Sequence, residues 1–216
     1  MPPKNITTTE IHDDFDVCFT HRLMFDRDVL ALDNPMIEGI FAIASNDEPR
    51  AGMIVAVDAG FAAANPGIHD AIRTRFDRDH LPEVREILEV PGGEAAKNDP
   101  VVIDRMLEAI ERHRIDRRSY VAVFGGGAVI DAVGFASSTA HRGVRLVRFP
   151  TTVLGQLDAA IGVKNGVNRF GKKNFVGAFD VPVAVICDER MLETLDDRRW
   201  SEGFSEAVKI ACLQDA

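Results

Sequence analysis

The sequence has little that could form covalent or metal cross-links. Its three cysteines, Cys18, Cys187 and Cys212, are odd in number and far apart. No CxxC pair occurs, so neither a disulfide framework nor a thiolate zinc site is indicated. The six histidines show neither the HxxxH nor the HExxH spacing of a helix-borne zinc site. This cysteine usage fits the reducing cytosol, and we expect a cytoplasmic protein.

A basic excess and long apolar runs are also missing. The formal net charge of −9 argues against a nucleic-acid surface, although a local pocket of Lys and Arg could still bind an anionic small molecule. No run approaches the ~18 apolar residues that span a bilayer, and residues 1–10 lack the apolar region of a signal peptide. We therefore expect a soluble protein with neither a nucleic-acid nor a membrane partner.

What the 216 residues do contain is an alternation of two apolar patterns. Runs rich in β-branched residues alternate with segments of helical period, which predicts an α/β fold with one sizeable core. Two of the runs are almost continuously apolar, as expected of strands that helices cover on both faces. The predicted strands are 15–20, 53–58, 85–90, 119–124, 144–149 and 182–187.

Three helices can be predicted with their boundaries. One begins at Pro100, because Asn98 or Asp99 can cap it and apolar residues then recur at helical spacing. Another begins just after three glycines at 125–127. A last amphipathic helix covers 196–216 and runs to the final residue.

The stretch YVAVFGGGAVIDAVGF at 120–135 places the three glycines between a strand and a helix. Strand, glycines and helix can present backbone N–H groups to an anion, but glycine also suits a tight turn. The GxGxxG fingerprint fails here, because its last position is Ile130. An acidic residue at the end of the next strand is also missing, where Phe149 and Pro150 stand. On these residues alone, a structural turn and a phosphate site stay equally open.

Two further patterns each have a functional and a structural interpretation. GVNRFGKK at 166–173 is not a P-loop, because Lys173 stands where Ser or Thr would hold magnesium. It is interpreted as a loop with a basic cluster, either solvated or close to the glycines. Glu206 and Lys209 are three residues apart on a helix, which is more typical of a surface ion pair than of a functional carboxylate.

The order of the motifs resembles the sugar-phosphate cyclases of the dehydroquinate synthase superfamily. The resemblance covers about residues 50–216, and eight individually weak motifs in matching order make it specific. They are GGEAAK (92–97), GGGAVID (125–131), HRGVRL (141–146), PTT (150–152), DAAIGVKNGVN (158–168), KKN (172–174), LETL (192–195) and GFSEAVK (203–209).

The resemblance implies a Rossmann-like NAD-binding domain over 1–187. It also implies that 188–216 begin a helical metal and substrate domain that is truncated in this chain. The glycines would then hold the pyrophosphate of NAD. By position, the residues implied to contact the dinucleotide are Asp58, Glu94, Lys97, Gly126, Gly127, Asp131, Thr151, Thr152, Lys173 and Thr194.

The resemblance further implies a substrate site and a metal. Arg142 matches an arginine that reaches the substrate phosphate of a neighbouring subunit, which implies a homodimer. Glu206 matches the first of three ligands to a catalytic zinc or cobalt, and the other two would lie beyond Ala216. We therefore expect the 216-residue chain alone to lack turnover. The residues implied to hold a phosphorylated sugar or sugar acid are Asp158, Lys164, Asn174 and Lys209.

In this family, transient oxidation by NAD precedes loss of phosphate, and re-reduction precedes an aldol ring closure. Two departures keep the substrate open: Gly60 stands where the synthases have Asn, and GVKNGVN at 162–168 replaces their GGKT stretch. The second departure is similar to cyclases of sedoheptulose 7-phosphate such as the epi-valiolone synthases. A polyol dehydrogenase related to the iron-dependent alcohol dehydrogenases, and a non-catalytic NAD-binding module, are the remaining alternatives.

Overall fold

A computed structural model describes residues 10–41 and 50–214 of the chain. Its strands are β1 (Leu23–Asp26), β2 (Gly52–Asp58), β3 (Glu83–Val90), β4 (Tyr120–Gly125), β5 (Arg145–Pro150), β6 (Lys164–Arg169), β7 (Lys172–Phe179) and β8 (Ala184–Asp188). Six of them form one parallel sheet in the order β1-β8-β5-β4-β2-β3. This arrangement confirms the predicted α/β class with a Rossmann-like sheet.

Helices cover both faces of the sheet. They are α1 (Met36–Phe41), α2 (Ala59–Ala64), α3 (Ile68–Phe76), α4 (Ala95–Asn98), α5 (Pro100–Arg112), α6 (Gly127–Thr139) and α7 (Asp197–Gln214), with short 3₁₀ turns at Ala140–Arg142 and Glu189–Leu192 and a π-turn at Gly155–Ala159. Alternate residues of each central strand face opposite sides, so the core has two layers. One layer packs on α5 and α6, and the other on α1, α2 and α3.

Five of the six predicted strands are confirmed to within two residues, and the first is wrong. Residues 15–20 form no strand, and the first strand of the described residues, β1, begins only at Leu23 and pairs with β8. The side chains of Phe15, Val17 and Phe19 are 63–84% exposed. Alternating apolar residues favour a strand, but a strand also needs a neighbour to pair with, and β8 is paired by Leu23–Asp26 instead.

The predicted helix starts are confirmed. Asp99 rather than Asn98 caps α5, because its side chain accepts a hydrogen bond from the Val101 N–H, and Pro100 occupies the first turn. Helix α6 begins at Gly127, the last of the three glycines, which is one residue before the predicted start. Helix α7 begins at Asp197 and is largely exposed, and no helix of the described residues is long and apolar enough to cross a membrane.

The segment interpreted as a loop at 166–173 lies instead within an antiparallel hairpin of β6 and β7, and that interpretation is wrong. Its two turn residues, Phe170 and Gly171, have φ values of 54° and 70°, as a two-residue hairpin turn requires. The hairpin lies outside the main sheet, with the inner strand β6 packed on α6. Its buried positions are polar or glycine as well as apolar, so the sequence shows no clear strand alternation.

Candidate functional site

The carboxyl edge of the parallel sheet collects most of the predicted cofactor residues. Asp58 ends β2, Gly125 ends β4 with the other two glycines leading into α6, and Thr151 and Thr152 follow β5. Ligands of open α/β sheets bind at this edge. Gly126 is the N-cap of α6 and has no side chain that could accept from the first N–H groups of this helix; free N–H groups at the start of a helix are able to bind an anion.

Close contacts, and not a left-handed turn, account for the glycines at 125 and 127, and the contact at 126 is less tight. None of them has a positive φ, and Gly126 is extended at φ −76°, ψ 174°. A Cβ on Gly125 would lie 2.8 Å from the Val129 side chain, and one on Gly127 would lie 2.6 Å from the Cβ of Ala159. A Cβ on Gly126 would stand 3.2 Å from the Thr152 Cγ2. The triplet thus brings α6 and the PTT segment close together and leaves bare backbone between them.

Asp58 is held in place by its own chain and by the GGE turn. One carboxylate oxygen accepts hydrogen bonds from the N–H groups of Gly60 (2.8 Å) and Phe61 (3.2 Å), which caps α2. A Cβ on Gly92 would lie 2.7 Å from both carboxylate oxygens, so only glycine fits there. Thr194 lies at the other end of α2, where its hydroxyl accepts a hydrogen bond from Asn65 at 3.0 Å.

A buried lysine connects the predicted cofactor residues to the predicted substrate residues. Lys97 Nζ donates to Asp131 Oδ2 at 2.6 Å and also to the side-chain oxygen of Asn174. The Lys97 side chain is only 7% exposed and that of Asp131 is 20% exposed. Burial raises the pKa of Asp131, and the hydrogen bond from Lys97 opposes that rise.

Asn168 organises the neighbouring contacts, although the sequence analysis did not single it out. Its amide nitrogen donates to Glu94 at 3.0 Å and to Asn98 at 2.8 Å, and its oxygen accepts from the Asn174 N–H at 2.9 Å. Glu94 also accepts a 3.4 Å hydrogen bond from Lys173. Mainly because of the Asn168 hydrogen bond, the pKa of Glu94 is lowered. A cleft of about 460 Å³ opens beside Glu94, Asn168 and Lys173.

The other predicted substrate and metal residues lie on the π-turn, β6 and α7. Lys209 Nζ donates to Glu206 Oε1 at 2.6 Å, which is the ion pair that the spacing favoured, but only the Lys209 side chain is well exposed (57%) and that of Glu206 is 13% exposed. This hydrogen bond raises the pKa of Lys209, and the negative charge of Asp158 adds to the rise. Lys164 is exposed, and its positive charge lowers the pKa of Asp131, which places the two side chains within electrostatic range of each other. These side chains therefore share one side of the domain with the Lys97 cluster.

Arg142 lies apart from the other predicted residues. It follows the carboxyl end of α6, just before β5 begins, and is therefore at the opposite edge of the sheet from the glycines. The thirteen residues of α6 separate the two edges by about 20 Å. Arg142 is exposed, so within one chain it does not meet the cluster around Lys97. Among residues 10–41 and 50–214, no three His, Cys, Asp or Glu side chains form a group that could hold a metal.

Two buried polar residues were also missed by the sequence analysis. Arg148 on β5 is fully buried, and Asn165 on β6 is 4% exposed. Arg148 donates to the Asn165 side-chain oxygen at 2.8 Å. An arginine at an inward position of a strand is the one sequence signal that could have revealed this pair, since arginine is almost never fully buried without partners.

The sequence of this chain is similar to that of known proteins. The family model of the 3-dehydroquinate synthase N-terminal region matches residues 87–202, which is more than half of the chain. The chain belongs to the 3-dehydroquinate synthase family. A 3-dehydroquinate synthase from a Nitratiruptor species is 41% identical over 150 residues, which are 69% of this chain and 42% of that protein. The matched part of the chain thus covers less than half the length of that relative.

Two solved cyclase structures share the fold of this family member. The complex of 2-deoxy-scyllo-inosose synthase with carbaglucose-6-phosphate, NAD+ and Co2+ has a TM-score of 0.70 at 28% identity, covering 87% of this chain and 48% of that one. ValA, the 2-epi-5-epi-valiolone synthase from Streptomyces hygroscopicus subsp. jinggangensis 5008, was solved with NAD+ and Zn2+. It has a TM-score of 0.71 at 24% identity, covering 91% and 50%.

Proposed function

We propose that the chain is the NAD-binding part of a sugar-phosphate cyclase of the 3-dehydroquinate synthase type, a lyase that eliminates phosphate. The observation that carries this proposal is the carboxyl edge of the sheet. There the uncapped start of α6, Asp58 and Thr152 lie at the ends of three adjacent strands. The names of the relatives support the reaction, and the bound molecules of the two cyclase structures support NAD.

The residues at this edge fit NAD. The N–H groups at the start of α6 would bind the pyrophosphate, and the carboxylate of Asp58 would accept hydrogen bonds from a ribose hydroxyl. When bound, NAD would accept a hydride from a ring alcohol and return it later. The remaining proposed contacts are Glu94, Lys97, Gly126, Gly127, Asp131, Thr151, Thr152, Lys173 and Thr194.

The proposed substrate residues fit a phosphorylated sugar or sugar acid. Lys164 and Lys209 supply positive charge for phosphate or carboxylate, and Asn174 and Asp158 supply polar oxygens for hydroxyl groups. A lysine is protonated at neutral pH at its ordinary pKa, and the hydrogen bond to Glu206 raises the pKa of Lys209 further, so its ammonium can donate to an anionic oxygen. Arg142 would reach the substrate only from a second subunit, which is why we propose a homodimer.

The described residues do not by themselves fit a catalytic zinc or cobalt. Such a site needs three protein ligands, and Glu206 is the one ligand proposed in this chain. Its carboxylate pairs with Lys209, and no group of three ligands occurs in the described ranges. We therefore propose Glu206 as a first ligand for a metal whose other ligands are not among the described residues.

The choice between substrates depends on the 158–174 segment. The similarity of the GVKNGVN stretch to cyclases of sedoheptulose 7-phosphate is the argument for that substrate. Two residues of this stretch, Asn165 and Asn168, are however buried and hydrogen-bonded within the domain, so a structural role explains their presence. The sugar acid of the 3-dehydroquinate synthases is our leading proposal, and sedoheptulose 7-phosphate is the second candidate.

Calorimetric titration with NAD tests the proposed cofactor site. We expect Gly126→Val to weaken NAD binding at least tenfold, because the side chain would fill the space between α6 and Thr152. The control is Gly39→Val, since Gly39 is exposed on α1 and has no neighbour within 4 Å of an added Cβ. Unchanged affinity in a folded Gly126→Val variant would contradict the proposal.

The NAD-loaded protein should then be titrated with two compounds. One is the sugar acid proposed as substrate, a heptulosonate 7-phosphate, and the other is sedoheptulose 7-phosphate. Tighter binding of the sugar acid is the expected result. Tighter binding of sedoheptulose 7-phosphate would favour the second candidate. Binding of NAD without either sugar phosphate would indicate a non-catalytic NAD-binding module, and binding of simple polyols would indicate the dehydrogenase alternative.

A further inference from the structure

Arg148 is a buried cation in the middle of the sheet. Val147 and Phe149, its neighbours on β5, face the layer of α1, α2 and α3, so Arg148 faces the opposite side, towards α6 and the hairpin. It is fully buried, and this burial lowers its pKa to about 10. The guanidinium therefore keeps its charge at neutral pH, and a charge in such a position needs strong partners.

The partners of Arg148 all lie on one short segment outside the sheet. One guanidinium nitrogen donates to the carbonyls of Ala160 (2.7 Å) and Gly162 (2.5 Å), and the other donates to the side chain of Asn165 (2.8 Å). These three acceptors fall between or next to the two proposed substrate residues Asp158 and Lys164. The buried charge thus binds the connection from the π-turn to β6.

The side chain of Asn165 lies between Arg148 and Gly134 of α6. A Cβ on Gly134 of α6 would lie 1.9 Å from the Asn165 side-chain oxygen, so Asn165 occupies the space that any larger residue at 134 would need. Arg148 Nε and Asn165 Nδ2 are buried, and neither has a hydrogen-bond partner among the described residues. The three acceptors on 160–165 therefore provide the hydrogen bonds of this guanidinium. The negative charges of Asp131 and Asp180 raise the pKa of Arg148 from a longer distance.

We propose that Arg148, through Asn165 and the carbonyls of Ala160 and Gly162, is a positioning residue that fixes Asp158 and Lys164 for sugar-phosphate binding. The inference rests on the proposed function for its substrate, but the contact itself does not. These three hydrogen bonds add to the other attachments of the 158–165 segment, which are the close approach of Ala159 to Gly127, the burial of Ala160 in the core and the hairpin.

Hydrogen exchange of the 216-residue chain tests the contact without any ligand. In Arg148→Gln we expect amides of 158–165 to exchange at least tenfold faster, while amides of β2 and β4 keep their wild-type rates. Arg148→Lys should recover part of the protection, because an ammonium keeps the charge but cannot span the three acceptors. Arg145→Gln is the control, since Arg145 lies on the same strand and is exposed.

Asn165→Ala provides a second route, because it removes one acceptor and leaves β5 unchanged. If Arg148→Gln does not fold, Asn165→Ala should still raise exchange in 158–165 selectively. Equal acceleration throughout the sheet, or no change in 158–165, would overturn the inference.

Binding of the heptulosonate 7-phosphate to the NAD-loaded chain provides the functional measurement. Asn165→Ala and Arg148→Gln should weaken it at least tenfold and leave NAD affinity within about twofold of wild type. An equal loss of NAD affinity would show a general structural role and overturn the positioning role. If the wild-type chain binds no sugar phosphate, the proposed function fails, and the exchange rates still decide whether Arg148 fixes the segment.

Discussion

Removal of the Lys97 ammonium should expose how strongly the domain depends on the pair between Lys97 and Asp131. In Lys97→Met the carboxylate of Asp131 would stay largely buried, with a 20% exposed side chain, and would lose its 2.6 Å partner. Breaking a buried pair by removing one partner costs about 3–5 kcal/mol of stability. Because Asp131 is partly exposed, we expect a loss at the lower end of this range, about 3 kcal/mol. For a chain of this size, that loss lowers the Tm by about 6–12 °C.

The loss should depend on pH. Burial already raises the pKa of Asp131 above its ordinary 3.8 while Lys97 is present, and removal of Lys97 raises it further. Between 3.8 and the raised pKa the native state binds more protons than the unfolded state, so stability falls as pH increases through that window. Urea denaturation should therefore show a smaller loss for Lys97→Met at pH 5 than at pH 8.

A double-mutant cycle separates the pair from general effects. Asp131→Asn in the Lys97→Met background should recover most of the lost stability, because it removes the unpaired carboxylate. The matched control is Lys173→Met, since Lys173 is 78% exposed and 3.4 Å from Glu94, and its loss should stay below about 0.5 kcal/mol. Additive losses in the double variant, or equal losses at pH 5 and pH 8, would refute the reasoning.

Three further outcomes are expected. Glu38→Gln should lower the free energy of unfolding by about 3 kcal/mol at pH 7, because the pKa of Glu38 is lowered from 4.5 to about 2, chiefly by its hydrogen bond from a buried arginine; in the wild type this stability is present above pH 4.5 and is lost as pH falls towards 2. Gly203→Ala should detach α7, because the added Cβ would lie 2.3 Å from Val153, and emission of the single tryptophan, Trp200, should shift to the red. Metal analysis of the purified chain should find well below one zinc or cobalt per chain, since Glu206 is the one proposed ligand.

Controls and contradicting results are specific to each. Glu111→Gln on exposed α5 surface should not change stability at pH 7, and an unchanged Glu38→Gln variant would refute the ion-pair argument. Ser205→Ala should leave the tryptophan emission unchanged, and an unshifted Gly203→Ala spectrum would show that α7 is not held at Gly203. One tightly bound metal per chain would mean that residues outside the proposed set complete a site.

The parallel sheet could be predicted because each of its central strands is a short apolar run that can be identified from its own residues. Runs such as 53–58 are buried on both faces and are apolar almost without interruption. The β6–β7 hairpin could not be predicted, because its inner strand β6 contains the buried residues Asn165 and Asn168, whose partners Arg148 and Glu94 lie 17 and 74 residues away in sequence. The 15–20 segment failed for the opposite reason: it has the strand pattern but no strand to pair with.

The candidate site was predictable only as an ordered set of weak motifs. The glycines, Asp58 and the PTT segment could be placed at one sheet edge because each follows a predicted strand. The contact between Lys97 and Asn174 could not, because it depends on a left-handed residue in β7, with Asn174 at φ 52°. Glu206 and Lys209 form the ion pair that their spacing favours, and their functional roles stay predictions.

Mapping of the NAD site by amide chemical shifts tests the central claim most directly. The 23.7 kDa chain is small enough for assigned spectra. NAD should shift the amide signals of Gly126, Gly127 and Thr152 together with that of Gly60 beside Asp58, and it should leave the opposite sheet edge around Arg142 unchanged. Saturating NAD that shifts no signal at the carboxyl edge, or shifts only signals elsewhere, would contradict the account.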